Sequence, residues 1–487
     1  MAARTLNIRF VLHILGIVAL FESVFMLLDV LVACMYNEWD IVPLLKSTLI
    51  TGGIGALMFM ATGSSKRCAR KIGLRESFLL VTLAWILMSV LGALPYILTK
   101  TTNVVDGLFE SFSGFTTTGS SIFNDIEALP KGILFWRSET HWIGGMGIIM
   151  LIVALLPILK SGGIKLFSAE SSASIFEKIK PKIVHNAQHL WIIYMILTVV
   201  EMLLLVLGGM GLFDATCHAF GTIATGGFST RNLSVAAYSP YIQYVITLFM
   251  FLSGVNFLLH ARLIKGDYKS FFKNEEFRLY TGIILVVSIL IAVSLVVMQN
   301  VGVEKAFRDA LFQVVSIITA TGFATADYLI WPTHCWLLIF FLMFIGASAG
   351  STGGGIKVIR HLIAFRYLAN RFKIHVNRGR LVPVRYNGTR VEDKVILNTF
   401  NFIFVYLLIY GLGVILMVIE GNDITTSAGS IITAMGGIGP GLGLTGPASN
   451  FAMLSGATKI TLTLFMLLGR LEILPVLVLF QQRFWKR

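Results

Sequence analysis

The sequence predicts an all-α membrane protein that crosses a bilayer many times. Of its 487 residues, 56% are hydrophobic and 13% are charged, whereas soluble domains carry about 25% charged residues. Apolar runs fill nearly the whole chain and leave no room for a separate soluble domain. A helix needs about 20 apolar residues to cross the hydrocarbon core. Ten runs approach that length: 10–35, 41–62, 77–99, 141–160, 187–211, 239–261, 279–298, 333–358, 400–419 and 457–482.

The basic residues indicate which loops face the cytoplasm. The chain has 39 Lys and Arg against 25 Asp and Glu, and 30 of the 39 lie in six patches between apolar runs. These patches are the N-terminal tail and residues 66–75, 160–182, 262–278, 357–394 and 483–487. Because bases concentrate on cytoplasmic loops, both termini are predicted to be cytoplasmic. A nucleic-acid partner is not expected, since it would require a folded basic surface.

The loops on the opposite side carry acids with few bases, among them Asp106, Glu110, Asp214 and Asp309. These acids could concentrate cations near an entrance. Equally, the pattern could arise only because bases avoid the translocated side. The sequence leaves both readings open.

Neither an enzyme active site nor a resident metal is expected. The four cysteines, Cys34, Cys68, Cys217 and Cys335, are scattered and form no CxxC pair, which favours free thiols. The chain contains no HExxH or GxSxG motif. The chain is therefore predicted not to be an enzyme and to carry no organic cofactor.

Four Thr/Gly-rich segments are the most informative feature of the sequence. They are FTTTGSS (115–121), ATGGFST (224–230), TATGFAT (319–325) and GGIGPGL (436–442). Aligned on Gly119, Gly227, Gly322 and Gly439, they are separated by 108, 95 and 117 residues. An apolar stretch too short to cross a bilayer precedes each segment, which favours a re-entrant helix. A recurring period of this kind predicts four copies of one unit.

This repetition divides the chain into five parts. A two-helix extension over residues 1–70 precedes pore repeats over 71–165, 166–270, 271–380 and 381–487. Each repeat is predicted to contain a span, a short pore helix, a filter segment and a second span.

The chemistry of the four segments suits an ion filter. A dehydrated K⁺ must exchange its water for other oxygens, and rings of backbone carbonyls can supply them. Glycine allows the positive φ angles that turn successive carbonyls the same way. The C-terminal end of each short helix favours a cation, and Asp214, Asp309 and Asp423 are expected near the opposite ends. The candidate filter residues are Thr116, Thr117, Thr118, Gly119, Ala224, Thr225, Gly226, Gly227, Thr319, Ala320, Thr321, Gly322, Gly436, Gly437, Ile438 and Gly439.

Six motifs together resemble the TrkH-type subunits of the Trk/Ktr/HKT family of potassium transport proteins. They are FESFSGFTTTG (109–119), HWIGGMGIIMLIVALLPIL (141–159), HAFGTIATGGFST (218–230), GASAGSTGGGIKVIR (346–360), GIGPGLG (437–443) and LLGRLEIL (467–474). The resemblance implies four pore repeats around one pseudo-fourfold K⁺ pathway, plus two N-terminal helices. It also implies a homodimer in a bacterial inner membrane and a cytosolic Rossmann-type nucleotide-binding regulatory subunit.

By this resemblance, the four aligned glycines are the filter glycines. Some plant relatives that select Na⁺ have serine at the first of them, so Gly119 favours K⁺ as the transported ion. The fourth segment departs from the pattern, because it lacks the Thr run and contains Pro440. An imperfect ring and weaker selectivity are therefore expected.

The segment GASAGSTGGGIK (346–357) should break the helix of its span because of its many small residues. By resemblance it is an intramembrane gating loop, whereas tight helix packing through small residues is the alternative. The resemblance also places Arg470 in the pathway as an electrostatic barrier, although it could instead pair with Glu472. The candidate gate residues are Gly346, Gly350, Ser351, Thr352, Gly353, Gly354, Gly355, Lys357 and Arg470. Lys357 could also be an ordinary lysine that reaches the inner membrane surface.

The sequence thus predicts K⁺ uptake through a gated pore, with the lipid bilayer as its surroundings. The basic segment 357–394 could bind the regulatory subunit or merely set topology. No nucleotide-binding motif is found, so nucleotide control would come from that partner. The rival hypothesis is an H⁺- or Na⁺-coupled transporter with alternating access. It would use acidic or titratable groups near the spans: Glu22, Asp29, Glu139, His141 and Glu201.

Overall fold

The computed structural model describes residues 6–63, 74–147, 183–376 and 382–486. Within these ranges the regular structure is helical, apart from two short ladders of strands. Strand β1 (Ile345–Gly346) pairs in parallel with β2 (Ile356–Lys357). Strand β3 (Arg385–Tyr386) pairs antiparallel with β4 (Thr389–Arg390). The predicted all-α class is confirmed.

The helices of the described ranges follow one another with short connections. In chain order they are α1 (Ile8–Tyr36), α2 (Ile41–Thr62), α3 (Leu74–Leu91), α4 (Leu94–Leu98), α5 (Val104–Phe115), α6 (Lys131–Gly145), α7 (Ile183–Leu207), α8 (Leu212–Ile223), α9 (Pro240–Ser253), α10 (Phe257–Ile264), α11 (Tyr268–Lys273), α12 (Glu275–Gln299), α13 (Val303–Ile318), α14 (Thr333–Leu342), α15 (Val358–Val376), α16 (Asp393–Ile419), α17 (Ile424–Gly436), α18 (Gly456–Arg470), α19 (Leu474–Leu479) and α20 (Gln482–Lys486). Single 3₁₀ turns cover Ser234–Ala237, Tyr328–Ile330 and Gly443–Thr445.

Six segments of the described ranges are long and apolar enough to cross a membrane: α1, α2, α3 with α4, α7 from Gln188, α12 and α16. The bent pair α9 and α10 would make a seventh. Apolar side chains on these helices are widely exposed, including Leu49, Val286 and Phe404. Because such surfaces fit hydrocarbon rather than water, the chain is a multi-pass membrane protein.

The N-terminal pair α1 and α2 packs backbone to backbone. A Cβ at Gly16 would lie 2.9 Å from the carbonyl oxygen of Gly55, so only the absence of a side chain permits this approach. Helix α1 also contacts α3 and α6. The N-terminal pair therefore rests against the first of the predicted repeats.

Three predicted spans are broken. The span over 239–261 bends by 99° between α9 and α10. The span over 333–358 leaves the helix after Leu342, so the break expected over 346–357 is present. The span over 457–482 ends its first helix at Arg470, and Glu472 and Ile473 then take φ angles of 55° and 60°. Hydropathy alone did not indicate the bend between α9 and α10, because apolar residues continue on both sides of it.

The span predicted over 141–160 starts further along the chain than the helix found there. Helix α6 starts at Lys131 and ends at Gly145, and residues 148–160 lie outside the described ranges. Its polar residues Arg137, Glu139 and His141 are buried in the helix.

Several other predictions fall outside the described ranges. They include the basic patch 160–182, Cys68 and the domain boundaries after residues 70, 165 and 380. The boundary after residue 270 falls inside α11. The division into four repeats therefore stays a prediction.

Candidate functional site

Four short helices end at the four Thr/Gly segments. They are α5 and α8 with 12 residues each, α13 with 16 and α17 with 13. Acids occupy the opposite ends: Asp106, Asp214 and Glu304 lie in first turns, and Asp423 caps α17. Asp309, which was expected at such an end, lies deeper in α13 and is buried. The negative end of each helix dipole is thus directed toward a Thr/Gly segment.

The backbone takes the same course through all four segments. Two positions before each aligned glycine, φ is 54° at Thr117, 54° at Thr225, 59° at Ala320 and 66° at Gly437. At Gly119, Gly227, Gly322 and Gly439, φ is 79°, 82°, 89° and 95°. A non-glycine residue in this region costs about 1–3 kcal/mol, so the shared conformation is imposed by the surroundings. The fourth segment keeps it despite Pro440 and the missing Thr run.

The four segments close into a ring. Each aligned glycine faces the carbonyl oxygen of the residue before the aligned glycine in another segment: Gly119 faces Gly226, Gly227 faces Thr321, Gly322 faces Ile438 and Gly439 faces Thr118. In the first three contacts a Cβ would overlap the oxygen. In the fourth, a Cβ on Gly439 would lie 3.0 Å from the oxygen of Thr118. The structure therefore brings the candidate filter residues together around one centre, and the fourth contact is the loosest.

Threonine hydroxyls tie two of the segments to their own helices. Thr116 Oγ1 donates to the Phe112 carbonyl at 2.6 Å and lies 2.8 Å from Thr118 Oγ1. In the third segment Thr319 bonds the Val315 carbonyl at 2.7 Å and lies 2.7 Å from Thr321 Oγ1. The second and fourth segments have Ala224 with Gly226 and Gly436 with Ile438 at these positions. Paired threonines thus occur in every second segment of the ring, whereas the backbone conformation is the same in all four.

A buried ion pair lies directly behind the first two segments. Arg137 Nε is 2.8 Å from Glu110 Oε1, and their side chains are 1% and 0% exposed. Arg137 Nη1 also donates to the Ser229 carbonyl at 3.1 Å, and Glu110 Oε2 accepts from Ile122 N at 3.0 Å. The pair therefore connects the residues that follow the first Thr/Gly segment to those that follow the second. Sequence reasoning missed it, although a charge inside each apolar helix was the available signal.

An open cavity of about 320 Å³ adjoins the ring and is lined by all four aligned glycines. Acids of the surrounding loops are engaged locally: Asp214 lies 3.3 Å from Arg231, and Asp125 accepts from Asn232 at 2.9 Å. The latter hydrogen bond holds the pKa of Asp125 below its usual range. These two acids therefore have partners within the protein and are not held only for attracting cations.

The glycine-rich segment 346–355 runs beneath the ring. A Cβ at Gly353 would overlap the Thr319 carbonyl oxygen, and one at Gly354 would overlap that of Gly436. Thr352 Oγ1 donates to the Ile223 carbonyl at 3.2 Å. The segment thus touches the C-terminal ends of α8, α13 and α17. Its own turn depends on Gly350 and Gly355, which have φ of 73° and 72°, and on the pairing of β1 with β2.

Arg470 and Lys357 bind this segment from two sides. Arg470 donates to the carbonyls of Thr352, at 3.1 Å, and of Gly144 and Gly145. Lys357 is buried and donates to the carbonyl of Gly353, so it does not extend to the membrane surface. Glu472, the other candidate partner of Arg470, lies 2.7 Å from Arg360.

The remaining intramembrane titratable groups occupy several elements. Glu22, Asp29, Glu139 and Glu201 are buried in α1, α6 and α7. His141 Nδ1 is 2.8 Å from the Gly114 carbonyl, and its ring lies 4.1 Å from that of Phe228. His141 therefore packs behind the first two Thr/Gly segments rather than within the ring.

The chain was compared with known proteins. A family model for TrkH, described as a cation transport protein, matches residues 50–487. The Trk system potassium uptake protein TrkH of Salmonella typhimurium is 35% identical, covering 99% of this chain and 100% of that protein. The Trk system potassium uptake protein TrkG of Escherichia coli K12 is 33% identical, with 99% of each covered.

A solved structure gives the same result. The crystal structure of the potassium transporter TrkH from Vibrio parahaemolyticus superposes with a TM-score of 0.89 at 33% identity, covering 99% of this chain and 100% of that one. These relatives are transport proteins, which agrees with the expectation that the chain is not an enzyme. The chain belongs to the TrkH family of cation transport proteins.

Proposed function

We propose that the chain mediates K⁺ uptake across a bacterial inner membrane through a pore lined by backbone carbonyls. The ring of four segments carries the proposal, because each segment repeats the same pair of positive φ angles and contacts its neighbour through a carbonyl. Four helix ends of negative polarity converge on it. Carbonyl rings of this kind replace the hydration shell of K⁺. The names of the relatives, potassium uptake proteins, support K⁺ as the ion.

The gate in this proposal is the segment 346–355 with Lys357 and Arg470. The segment lies beneath three filter helices, and Arg470 adds a positive charge beside it. A fixed positive charge opposes a cation in a medium of low dielectric constant. Conduction then requires the segment and Arg470 to move aside.

The proposal also covers assembly and regulation. The relatives are named as parts of a Trk system, and the family resemblance points to a homodimer with a cytosolic nucleotide-binding subunit. Both termini and the basic segment 357–394 then face the cytoplasm. Exposed bases on α15, such as Arg371 and Lys373, are available there for an acidic partner.

Uptake of ⁸⁶Rb⁺ into proteoliposomes loaded with KCl tests the proposed pore. The chain alone should accumulate tracer, external K⁺ should compete and Na⁺ should compete weakly. Empty liposomes give the background. Tracer uptake that requires an imposed proton or Na⁺ gradient would instead support the coupled transporter, for which the buried acids Asp29 and Glu139 are the candidates. No uptake, even with the cytosolic subunit added, would contradict the proposed pore.

A further inference from the structure

Helix α10 is attached to the segment proposed as the gate. Phe257 N donates to the Gly350 carbonyl at 3.0 Å, and Ser348 N donates to the Gly254 carbonyl at 3.0 Å. Helix α10 then runs at 99° to α9. Because α9 is an apolar helix of a broken span, α10 lies along the membrane surface when α9 crosses it. A force on α10 is therefore transmitted to the gate segment.

An apolar groove separates α10 from α7. The cavity measures about 350 Å³, and Leu190 and Ile193 line its floor. Its walls include Ile192, Ile196 and Ile264, whose exposed fractions are 53%, 48% and 67%. The lining also includes the basic side chains of His189, Arg262 and Lys265. The groove thus combines a wall suited to hydrocarbon with a basic rim.

A second cavity, of about 500 Å³, shares Arg262 with the groove and is lined by Lys269 and Lys273. The nearby acids already have partners. Asp267 accepts from Ser270 N at 3.1 Å and interacts electrostatically with Arg262. Glu275, which lines the second cavity, accepts from Arg366 at 2.7 Å.

The second cavity adjoins the start of α12 at Glu275, and the next residue of that helix, Glu276, contacts the gate segment. Glu276 Oε1 accepts from Ala349 N at 2.7 Å. Both cavities therefore flank elements that hold the gate segment.

We propose that one anionic phospholipid binds across the two cavities. An acyl chain occupies the groove between α7 and α10, and the phosphate contacts Arg262 and Lys265, with Lys269 and Lys273 beside it. The bound lipid fixes α10 against α7 and thereby supports conduction. The effect on conduction rests on the proposed gate, whereas the binding does not.

A diacyl anionic lipid fits better than other anions. A soluble phosphate would use the basic cavity but would leave the apolar groove unfilled. An acidic protein segment would have to enter a groove whose walls face hydrocarbon. An anionic phospholipid supplies both an acyl chain for the groove and a phosphate for the basic cavity. It does so at the depth where basic side chains meet an anionic membrane surface.

Native mass spectrometry of the full chain in detergent, titrated with phosphatidylglycerol and phosphatidylcholine, tests the binding. The double variant Lys265→Gln/Lys269→Gln should bind phosphatidylglycerol about 25-fold more weakly, at about fivefold per basic side chain. The matched control, Lys46→Gln/Lys100→Gln, removes two exposed lysines that line neither cavity and should bind like the unaltered protein. Ile196→Trp fills the groove, keeps every charge and should also weaken binding.

Flux then tests the link to the gate. For the unaltered protein and the control, ⁸⁶Rb⁺ uptake should be severalfold higher with phosphatidylglycerol than in phosphatidylcholine alone, and Lys265→Gln/Lys269→Gln should lose this difference. Equal phosphatidylglycerol binding by all variants would overturn the site, and full binding by Ile196→Trp would overturn the acyl-chain half. Weakened binding with an unchanged lipid dependence of flux would overturn the link to the gate. Absence of flux in every lipid would contradict the proposed function, while the binding titration would still decide the lipid site.

Discussion

Gly119 is the residue at which the proposed filter can be tested most sharply. It has φ of 79°, and a Cβ there would overlap the Gly226 carbonyl oxygen. We expect Gly119→Ser to lower K⁺ flux about tenfold or more and to reduce discrimination against Na⁺. A serine at this positive φ costs about 1–3 kcal/mol of backbone strain, and its Cβ must displace the Gly226 carbonyl. Tracer uptake of both ions at equal protein content measures the change.

Gly211→Ser is the matched control for this substitution. Gly211 precedes α8 with φ of −59°, and a Cβ there meets nothing within 4 Å. Serine is also a favoured residue at a helix start. Unchanged selectivity in Gly119→Ser, with Gly211→Ser also unchanged, would count against the ring as the filter.

Arg470 tests the proposed barrier. Its guanidinium binds the carbonyl of Thr352 in the gate segment. A unit charge a few ångströms from a cation costs about 4 kcal/mol at an effective dielectric constant of about 20. Arg470→Ala should therefore raise K⁺ flux at least about tenfold, and Arg470→Lys should raise it less because the charge remains. Flux that is unchanged or lower in Arg470→Ala at equal expression would refute the barrier.

Some of the residues at the site could be predicted from the sequence, and others could not. The four aligned glycines of the ring could be predicted because their positions repeat along the chain. The Arg137–Glu110 pair could not, because its residues are 27 positions apart in sequence and only the packing of α6 on α5 brings them together. The direction of Lys357 was equally undetermined, since a lysine near a span end can reach outward or bind a carbonyl within the protein.

The gate segment is held against α8 by a side-chain hydrogen bond. Thr352 Oγ1 donates to the Ile223 carbonyl at 3.2 Å. Thr352→Val keeps the shape and removes the bond, which is worth about 0.5–1.5 kcal/mol. We expect flux to rise by up to about tenfold. Thr399→Val, which removes a bond within α16, should leave flux unchanged; an equal rise in both variants would argue against a specific role of this contact.

The fourth pore helix depends on its cap. Asp423 accepts from Thr426 N at 2.9 Å, and hydrogen bonds to Thr426 hold the pKa of this carboxyl below its usual range. Loss of such a cap costs about 1 kcal/mol. Asp423→Ala should therefore lower the melting temperature in detergent by about 2 °C, and Asp423→Asn should lower it less.

The pH dependence of the cap follows from the lowered pKa. The carboxylate stabilises the folded chain at neutral pH, and this contribution is lost as pH falls through the lowered pKa. The difference in melting temperature between the unaltered protein and Asp423→Ala should shrink in acid. A difference that is constant with pH would contradict the charged cap.

The four short helices were predictable because an apolar stretch of about a dozen residues is too short to cross a bilayer. The bends were not. Gly254 ends α9 beside Tyr280, whose hydroxyl occupies the space of a Cβ, and this packing is invisible in a hydropathy pattern. Ile473 with φ of 60° is equally unexpected, since β-branched residues avoid this region.

At the scale of the whole molecule, four unequal segments build one ring. Their side chains differ, since paired threonines occur only in the first and third, but the backbone conformation is shared. The fourth contact is looser than the others, with 3.0 Å between the Cβ position of Gly439 and the Thr118 oxygen. We therefore expect K⁺ to be preferred over Na⁺ with a finite ratio, and the fourth segment to limit it.

The reversal potential of the chain in planar bilayers under voltage clamp tests the proposed pore most directly. With an about tenfold KCl gradient, a K⁺-selective pore should reverse near 59 mV in magnitude, and a superimposed pH gradient should leave this value unchanged. Replacing KCl with NaCl on one side should give the finite selectivity expected of the imperfect ring. A reversal potential that moves with the pH gradient, or that does not distinguish K⁺ from Na⁺, would contradict a carbonyl-lined K⁺ pore.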